Sequence, residues 1–216
     1  MLGLIFSCVV FYLIGSIPAG YLIVKKKYNK DLTREGSKNV GTLNTLTVSK
    51  SKTSAALVLI FDFLKGAGPV YYVTYVLELD FIFVFVSSIF LVIGHNYPVW
   101  LRFKGGRGLA TAAGIFSIVN ILLLLSWVVF WLVYFFLIKK DVLAANLTAT
   151  VLYPFFTVIF KGFYLNYVHP ALASNEYYFF IIFGFIVSFL ILSKHTEVFS
   201  KFKLRHNKSQ ISNLKS

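Results

Sequence analysis

The sequence is short of three things that soluble enzymes use freely. Of its 216 residues only 13% are charged, only 8 are acidic, and one, Cys8, is a cysteine. A lone cysteine cannot close an internal disulfide, so no cross-linked scaffold holds the fold. Soluble domains carry about 25% charged residues. This chain is 58% hydrophobic, with a mean hydropathy of +0.77. A soluble domain of this length has no interior large enough to hide so much apolar surface. A soluble enzyme is therefore excluded. Intrinsic disorder is excluded by 24 Phe and 13 Tyr. The shortage of acid against 21 Lys and Arg leaves a net charge of +13. In a membrane chain this excess reads as topology and contact with anionic headgroups, not as nucleic-acid binding. No Cys, His or Asp cluster has the spacing of metal ligands, so no metal site is expected.

What is present is a series of charge-free stretches. Leu2 to Val24 has no charged side chain, and 23 residues at about 1.5 Å each span a ~30 Å hydrocarbon core. Lys25, Lys26 and Lys27 follow it and no cation precedes it, the pattern of an uncleaved span with its N-terminus outside. Further spans are expected at Ser54–Leu77, Phe81–Ile93, Leu109–Ile138, Val142–Phe160 and Tyr177–Ser193. Leu109 to Ile138 is long for one crossing and short for two. Returning Lys139 and Lys140 to the cytoplasm requires a hairpin of two short helices turning near Asn120. The expectation is an all-α integral membrane protein of about seven transmembrane helices, N-terminus out and C-terminus in. Its site loops are cytoplasmic. A five-span arrangement with re-entrant short segments is the alternative. All Lys and Arg but Lys65 and Lys161 then fall on the cytoplasmic side, while Glu78, Asp80 and Glu176 lie outside. Residues 1–193 form the membrane domain and residues 194–216 a basic cytoplasmic tail.

The polar segments converge on that one face. Gly94-His95-Asn96-Tyr97-Pro98-Val99 runs on to Phe103-Lys104-Gly105-Gly106-Arg107-Gly108 just before a helix start. Closely spaced glycines let backbone N–H groups approach an anion, the helix start favours a phosphate, and Lys104 and Arg107 add charge. A positive-inside loop with turn glycines would look alike. Gly36-Ser37-Lys38-Asn39-Val40-Gly41 with Asn44 reads either as a ligand-gripping loop or as a polar linker. Ser37 has no context that marks a nucleophile. Asp62 and Lys65 share one helix face inside an apolar span, where ionisable groups usually face a polar cavity or one another. His95 and His195 sit at the cytoplasmic ends of spans, placed either for acid–base or phosphate work or as interfacial polar residues. His169 and His206 read as non-functional.

These segments resemble the acyl-phosphate:glycerol-3-phosphate acyltransferases, the PlsY family. The first helix carries Gly15-Ser16-Ile17-Pro18-Ala19-Gly20-Tyr21. Asp62, Lys65 and Gly66 match Asp-x-x-Lys-Gly, and Gly94 to Gly108 matches Gly-His-x-x-Pro-Val…Phe-Lys-Gly-Gly-Lys-Gly, with Arg107 for the last lysine. The resemblance implies a multi-pass enzyme of the bacterial plasma membrane with its site facing the cytoplasm. Such an enzyme moves a fatty acyl group from acyl-phosphate to the 1-hydroxyl of glycerol 3-phosphate, giving lysophosphatidic acid and phosphate. It implies no cofactor and no metal. The partners implied are acyl-phosphate, glycerol 3-phosphate, membrane lipid and an enzyme that produces acyl-phosphate. Ser37, Lys104 and His195 are the implied catalytic residues. Gly36, Asn39, Gly41, Asn44, Lys65, His95, Gly105, Gly106, Arg107 and Gly108 are the implied binding residues.

The chain departs from the family pattern at several positions. The family's Gly-Ser-Gly-Asn-x-Gly-Ala-Thr-Asn-x-x-Arg motif falls on Gly36 to Thr47, so Lys38 stands for its second glycine and Thr47 for its arginine. The C-terminal His-Arg-x-Asn falls on His195-Thr196-Glu197-Val198, and a later glutamate on or near Asn207. A Ser-rich turn has become Val142-Leu143-Ala144-Ala145-Asn146. Two readings follow. One is an active acyltransferase. The other is a divergent relative with lost or altered catalysis that binds lipid or a partner, or uses another acceptor.

Overall fold

The computed structural model describes residues 1–195. Glu197, Val198, His206 and Asn207 lie outside the described residues. Ten α-helices and no strand occur among the described residues. They are α1 (Leu2–Gly15), α2 (Ala19–Tyr28), α3 (Thr42–Ser49), α4 (Lys52–Tyr71), α5 (Phe81–Asn96), α6 (Leu109–Val119), α7 (Ile121–Val133), α8 (Val142–Ile159), α9 (Lys161–Leu165) and α10 (Tyr177–Leu192). α4 and α7 each continue in a π-helical turn, to Val76 and Ile138. Five stretches are long and apolar enough to cross a membrane: Leu2–Tyr28 taken through its break, Lys52–Val76, Phe81–Leu101, Ile121–Ile138 and Val142–Ile159. α6 and α10 are shorter apolar helices.

The expected first span is not one continuous helix. Pro18 has no N–H and leaves the helical conformation, at φ −92° and ψ 72°. At the break the Ile17 carbonyl accepts from the Ala19 N–H at 3.2 Å and from Lys65 Nζ at 2.9 Å. Helix contacts on either side are close because the residues there are small. A Cβ on Gly15 would run into the Leu91 backbone of α5, and one on Gly66 of α4 would run into the Thr111 backbone of α6.

The hairpin turns at Asn120, as its neighbourhood predicts. α6 has only 11 residues, about 16 Å of rise against a ~30 Å core. Asn120 Oδ1 accepts from the Leu122 N–H at 2.9 Å, and its Nδ2 donates to the Tyr164 carbonyl at 2.9 Å. The His169 N–H donates to the Val119 carbonyl at 2.8 Å, closing the same corner.

The core lies between α5, α6, α8 and α10. Phe180, Phe183, Val187 and Ile191 of α10 recur at helical spacing and are buried with Phe85, Phe116 and Tyr153. The Phe85 and Phe183 rings stack with centroids 4.9 Å apart. Cys8 is buried on α1. α7 buries only Leu123 and exposes Leu125, Val129, Leu132 and Val133. Water would penalise such a face, whereas lipid tails are as apolar as the face itself.

Candidate functional site

α3, α6 and α8 all begin at the same end of the bundle, around a cavity of about 340 Å³. Part of its lining is polar or glycine: Ser37, Asn39, Gly41, Asn44, Asp62, His95, Arg107 and Gly108. Much of the rest is apolar: Leu59, Leu109, Ala110, Ala113, Trp127, Trp131 and Val142. Eight residues singled out in the sequence therefore meet here: Ser37, Asn39, Gly41, Asn44, Asp62, His95, Arg107 and Gly108. Gly36, Lys65, Lys104, Gly105, Gly106 and His195 do not line the cavity, and each has a different place.

Gly36 and Asn44 shape the first loop. Gly36 has φ +61°, and a Cβ there would strike the Asn44 amide. Asn44 accepts from the Ser37 N–H at 2.8 Å and donates to the Asn39 and Glu35 carbonyls at 2.7 and 3.0 Å. Its amide is thus spent on the backbone and presents Ser37 and Asn39. Asn39 Oδ1 in turn accepts from the Gly41 N–H at 2.8 Å, ahead of α3.

The glycines of the second loop press on His95. The Gly106 N–H donates to the His95 carbonyl at 3.0 Å. A Cβ on Gly106 would collide with the His95 ring, and one on Gly105 with the His95 carbonyl. The sequence suggested N–H groups open to an anion, but the Gly106 N–H is taken by His95. Other helix starts remain open instead. α3 and α6 have no side-chain cap, whereas Asp141 caps α8 by accepting from the Leu143 and Ala144 N–H groups at 3.0 and 3.2 Å. Uncapped N–H groups at a helix start attract anions. Arg107 borders the same space. Lys104 is exposed, three residues away along the loop.

Asp62 connects the cavity to the helix break. Its Oδ1 lies 2.8 Å from Lys65 Nζ and 3.6 Å from His95 Nδ1. His95 Nδ1 is also 3.2 Å from Thr111 Oγ1. Both readings of the Asp62–Lys65 pair hold at once: the two charges neutralise each other, and Asp62 lines the cavity.

His195 is fully buried beyond the end of α10. Its Nδ1 lies 2.8 Å from the Ile191 carbonyl, which can only accept, so Nδ1 carries the proton. Nε2 is then a bare acceptor with no partner among the described residues. Burial pulls the ring below its ordinary pKa, the Ile191 carbonyl opposes this, and the charge of Arg107 adds to the lowering. Thr47 is exposed and donates to the Leu43 carbonyl at 2.9 Å within its own helix.

The sequence reading missed Thr42, Trp127, Trp131 and Asn146, which also line the cavity. The four-residue spacing of the two tryptophans placed them on one face of α7. Nothing in the sequence pairs that face with Asn146.

Fold and cavity together define a polytopic membrane protein whose pocket combines anion-favouring groups with apolar side chains, a form suited to a phosphorylated lipid. The family model for glycerol-3-phosphate acyltransferase matches residues 5–203. The Pelagibacter ubique glycerol-3-phosphate acyltransferase is 38% identical over 152 residues, covering 70% of this chain and 77% of its own. That of Blochmanniella floridana is 35% identical over 184 residues, covering 85% and 84%. The solved structure of PlsY, an integral membrane glycerol 3-phosphate acyltransferase, in its glycerol 3-phosphate form superposes with a TM-score of 0.76. It is 30% identical and covers 94% of this chain and 92% of its own. The lysophosphatidic acid form of the same protein superposes with a TM-score of 0.73. The chain belongs to the glycerol-3-phosphate acyltransferase family.

Proposed function

We propose that this protein transfers a fatty acyl group from acyl-phosphate to the 1-hydroxyl of glycerol 3-phosphate, giving lysophosphatidic acid and phosphate. The observation that carries this reading is the mixed lining of the cavity. Two uncapped helix starts and Arg107 border it together with Trp127, Trp131 and Ala113. Both substrates bring a phosphate and one brings a long tail, so a pocket of this form suits them. Acyl-phosphate is already activated, so positioning and anion stabilisation supply most of the catalysis. The acceptor oxygen attacks the acyl carbon, the bond to the phosphate oxygen breaks, and the hydroxyl proton leaves to a base. A substrate phosphate oxygen is the base we assign to it, because His195 is fully buried and does not line the cavity. Ser37 and Asn39 hold the acceptor, while Arg107 and, from the rim, Lys104 hold phosphate. Residues 1–193 carry the reaction on the cytoplasmic face of the bacterial plasma membrane, supplied by an enzyme that makes acyl-phosphate.

The test is turnover of purified protein in nanodiscs given palmitoyl-phosphate and glycerol 3-phosphate. Equimolar lysophosphatidic acid and phosphate are expected. Arg107→Ala should lower kcat/KM by about 10–150-fold, the worth of a charge-assisted hydrogen bond. Lys104→Ala should also lower it. Thr47, which offers the cavity no charge, supports the second reading of a different acceptor. Phosphate released without lysophosphatidic acid would favour that reading.

A further inference from the structure

Asn146 is 6% exposed and lines the cavity. Trp131 Nε1 donates to its Oδ1 at 2.7 Å. An indole nitrogen can only donate, so this contact decides which end of the amide faces Trp131. The indole is itself fixed by stacking on Phe135, with centroids 4.9 Å apart. On the other side, Thr150 Oγ1 donates to the Asn146 backbone carbonyl at 2.7 Å and accepts from Trp127 Nε1 at 3.0 Å. The Asn146 Nδ2 group, with two N–H donors, has no partner among the described residues.

We infer that Asn146 is a further substrate-binding residue, donating from Nδ2 to the acyl carbonyl oxygen of the acyl donor, and that Trp131 positions it. The inference rests on the acyl-phosphate reading above. A neutral donor beside the tryptophans of the lining suits the carbonyl, which joins the phosphate head to the tail. The phosphate has Arg107 and two helix starts. As the acceptor oxygen attacks, the carbonyl oxygen gains negative charge, and a donor held in place strengthens its hold without reorganising.

Binding of two non-reacting probes tests this by calorimetry on detergent-purified protein. Hexadecanoylphosphonate has the carbonyl, and hexadecyl phosphate lacks it. Asn146→Ala should weaken the first by about three- to tenfold, the worth of one neutral hydrogen bond, and leave the second within about twofold. Trp131→Phe keeps the amide and removes the donor that orients it, so it should cause a smaller loss for the first probe alone. The double variant should bind no worse than Asn146→Ala, because the two residues act through one contact. Equal loss of both probes, no loss in either single variant, or additive losses would overturn the assignment, as would a wild-type protein that ignores the carbonyl probe. Carbonyl-dependent binding without turnover would sink the acyl-transfer reading and leave the role of Asn146 standing. Turnover with indifferent Asn146→Ala binding would do the reverse.

Discussion

Gly106 holds His95 by the backbone and confines its ring at the same time. Its N–H donates to the His95 carbonyl at 3.0 Å, and its Cα leaves no room for a methyl group beside the imidazole. Gly106→Ala should therefore displace the ring from Asp62 and Thr111 and cost about 1–3 kcal/mol of stability through overpacking. Gly162, with open space around it, is the matched control. Gly162→Ala should be neutral or slightly stabilising, since alanine is the better helix former. Thermal unfolding of both variants with turnover measured alongside would check this, and equal melting temperatures would count against the confinement.

The Asp62–Lys65 pair should be strongly unequal to its parts. Both side chains are nearly buried, 4% and 9% exposed. Removing the carboxylate by Asp62→Ala leaves an ammonium in an apolar span, which typically costs about 3–5 kcal/mol. Asp62→Ala with Lys65→Met should recover part of that loss, because no charge remains unpaired. A double variant less stable than Asp62→Ala would show that Lys65 earns its place through Ile17 rather than through Asp62.

The hairpin depends on Asn120. Its side chain caps α7 and ties the turn to Tyr164. Asn120→Ala should cost about 1 kcal/mol for the cap and about 1 kcal/mol more for the buried carbonyl left without a donor. Hydrogen exchange should rise first at residues 119–123. Unchanged protection there would mean that packing alone holds the corner.

This turn was legible in the sequence for a reason that the helix break was not. Thirty charge-free residues between cations are an arithmetical misfit, and a polar Asn120 in the middle resolves it. The break at Pro18 is written as a single proline, which membrane helices often absorb. What stabilises it is Lys65, forty-eight residues away. The site divides in the same way. Charged and glycine-rich residues stand out against an apolar chain, so the polar part of the lining could be read. Whether a glycine N–H faces a phosphate or His95 depends on a neighbour that spacing does not specify. Trp131 and Asn146 look like ordinary span residues until α7 and α8 are side by side.

The pH dependence of stability should carry the signature of a histidine kept neutral. Burial pulls His195 below its ordinary value of 6.5. The unfolded chain therefore binds a proton at higher pH than the folded one. Between the two values unfolding takes up protons, so stability falls as pH drops below about 6.5. His195→Gln should flatten that acid-side fall in melting temperature and leave the curve above about pH 8 nearly unchanged. A wild-type and variant pair with parallel curves from pH 5 to 8 would mean that His195 is not the group responsible.

The burial of Cys8 makes the molecule a blank slate for chemical mapping. Its one thiol is shielded on α1, so a thiol introduced elsewhere reports alone. Lys139→Cys and Ser174→Cys sit at opposite ends of the bundle by the chain order of α7, α8 and α10. A membrane-impermeant maleimide applied to intact cells should label Ser174→Cys and spare Lys139→Cys until the cells are opened. The reverse pattern would turn the whole site to the outside. A question of orientation thus reduces to which of two single thiols reacts.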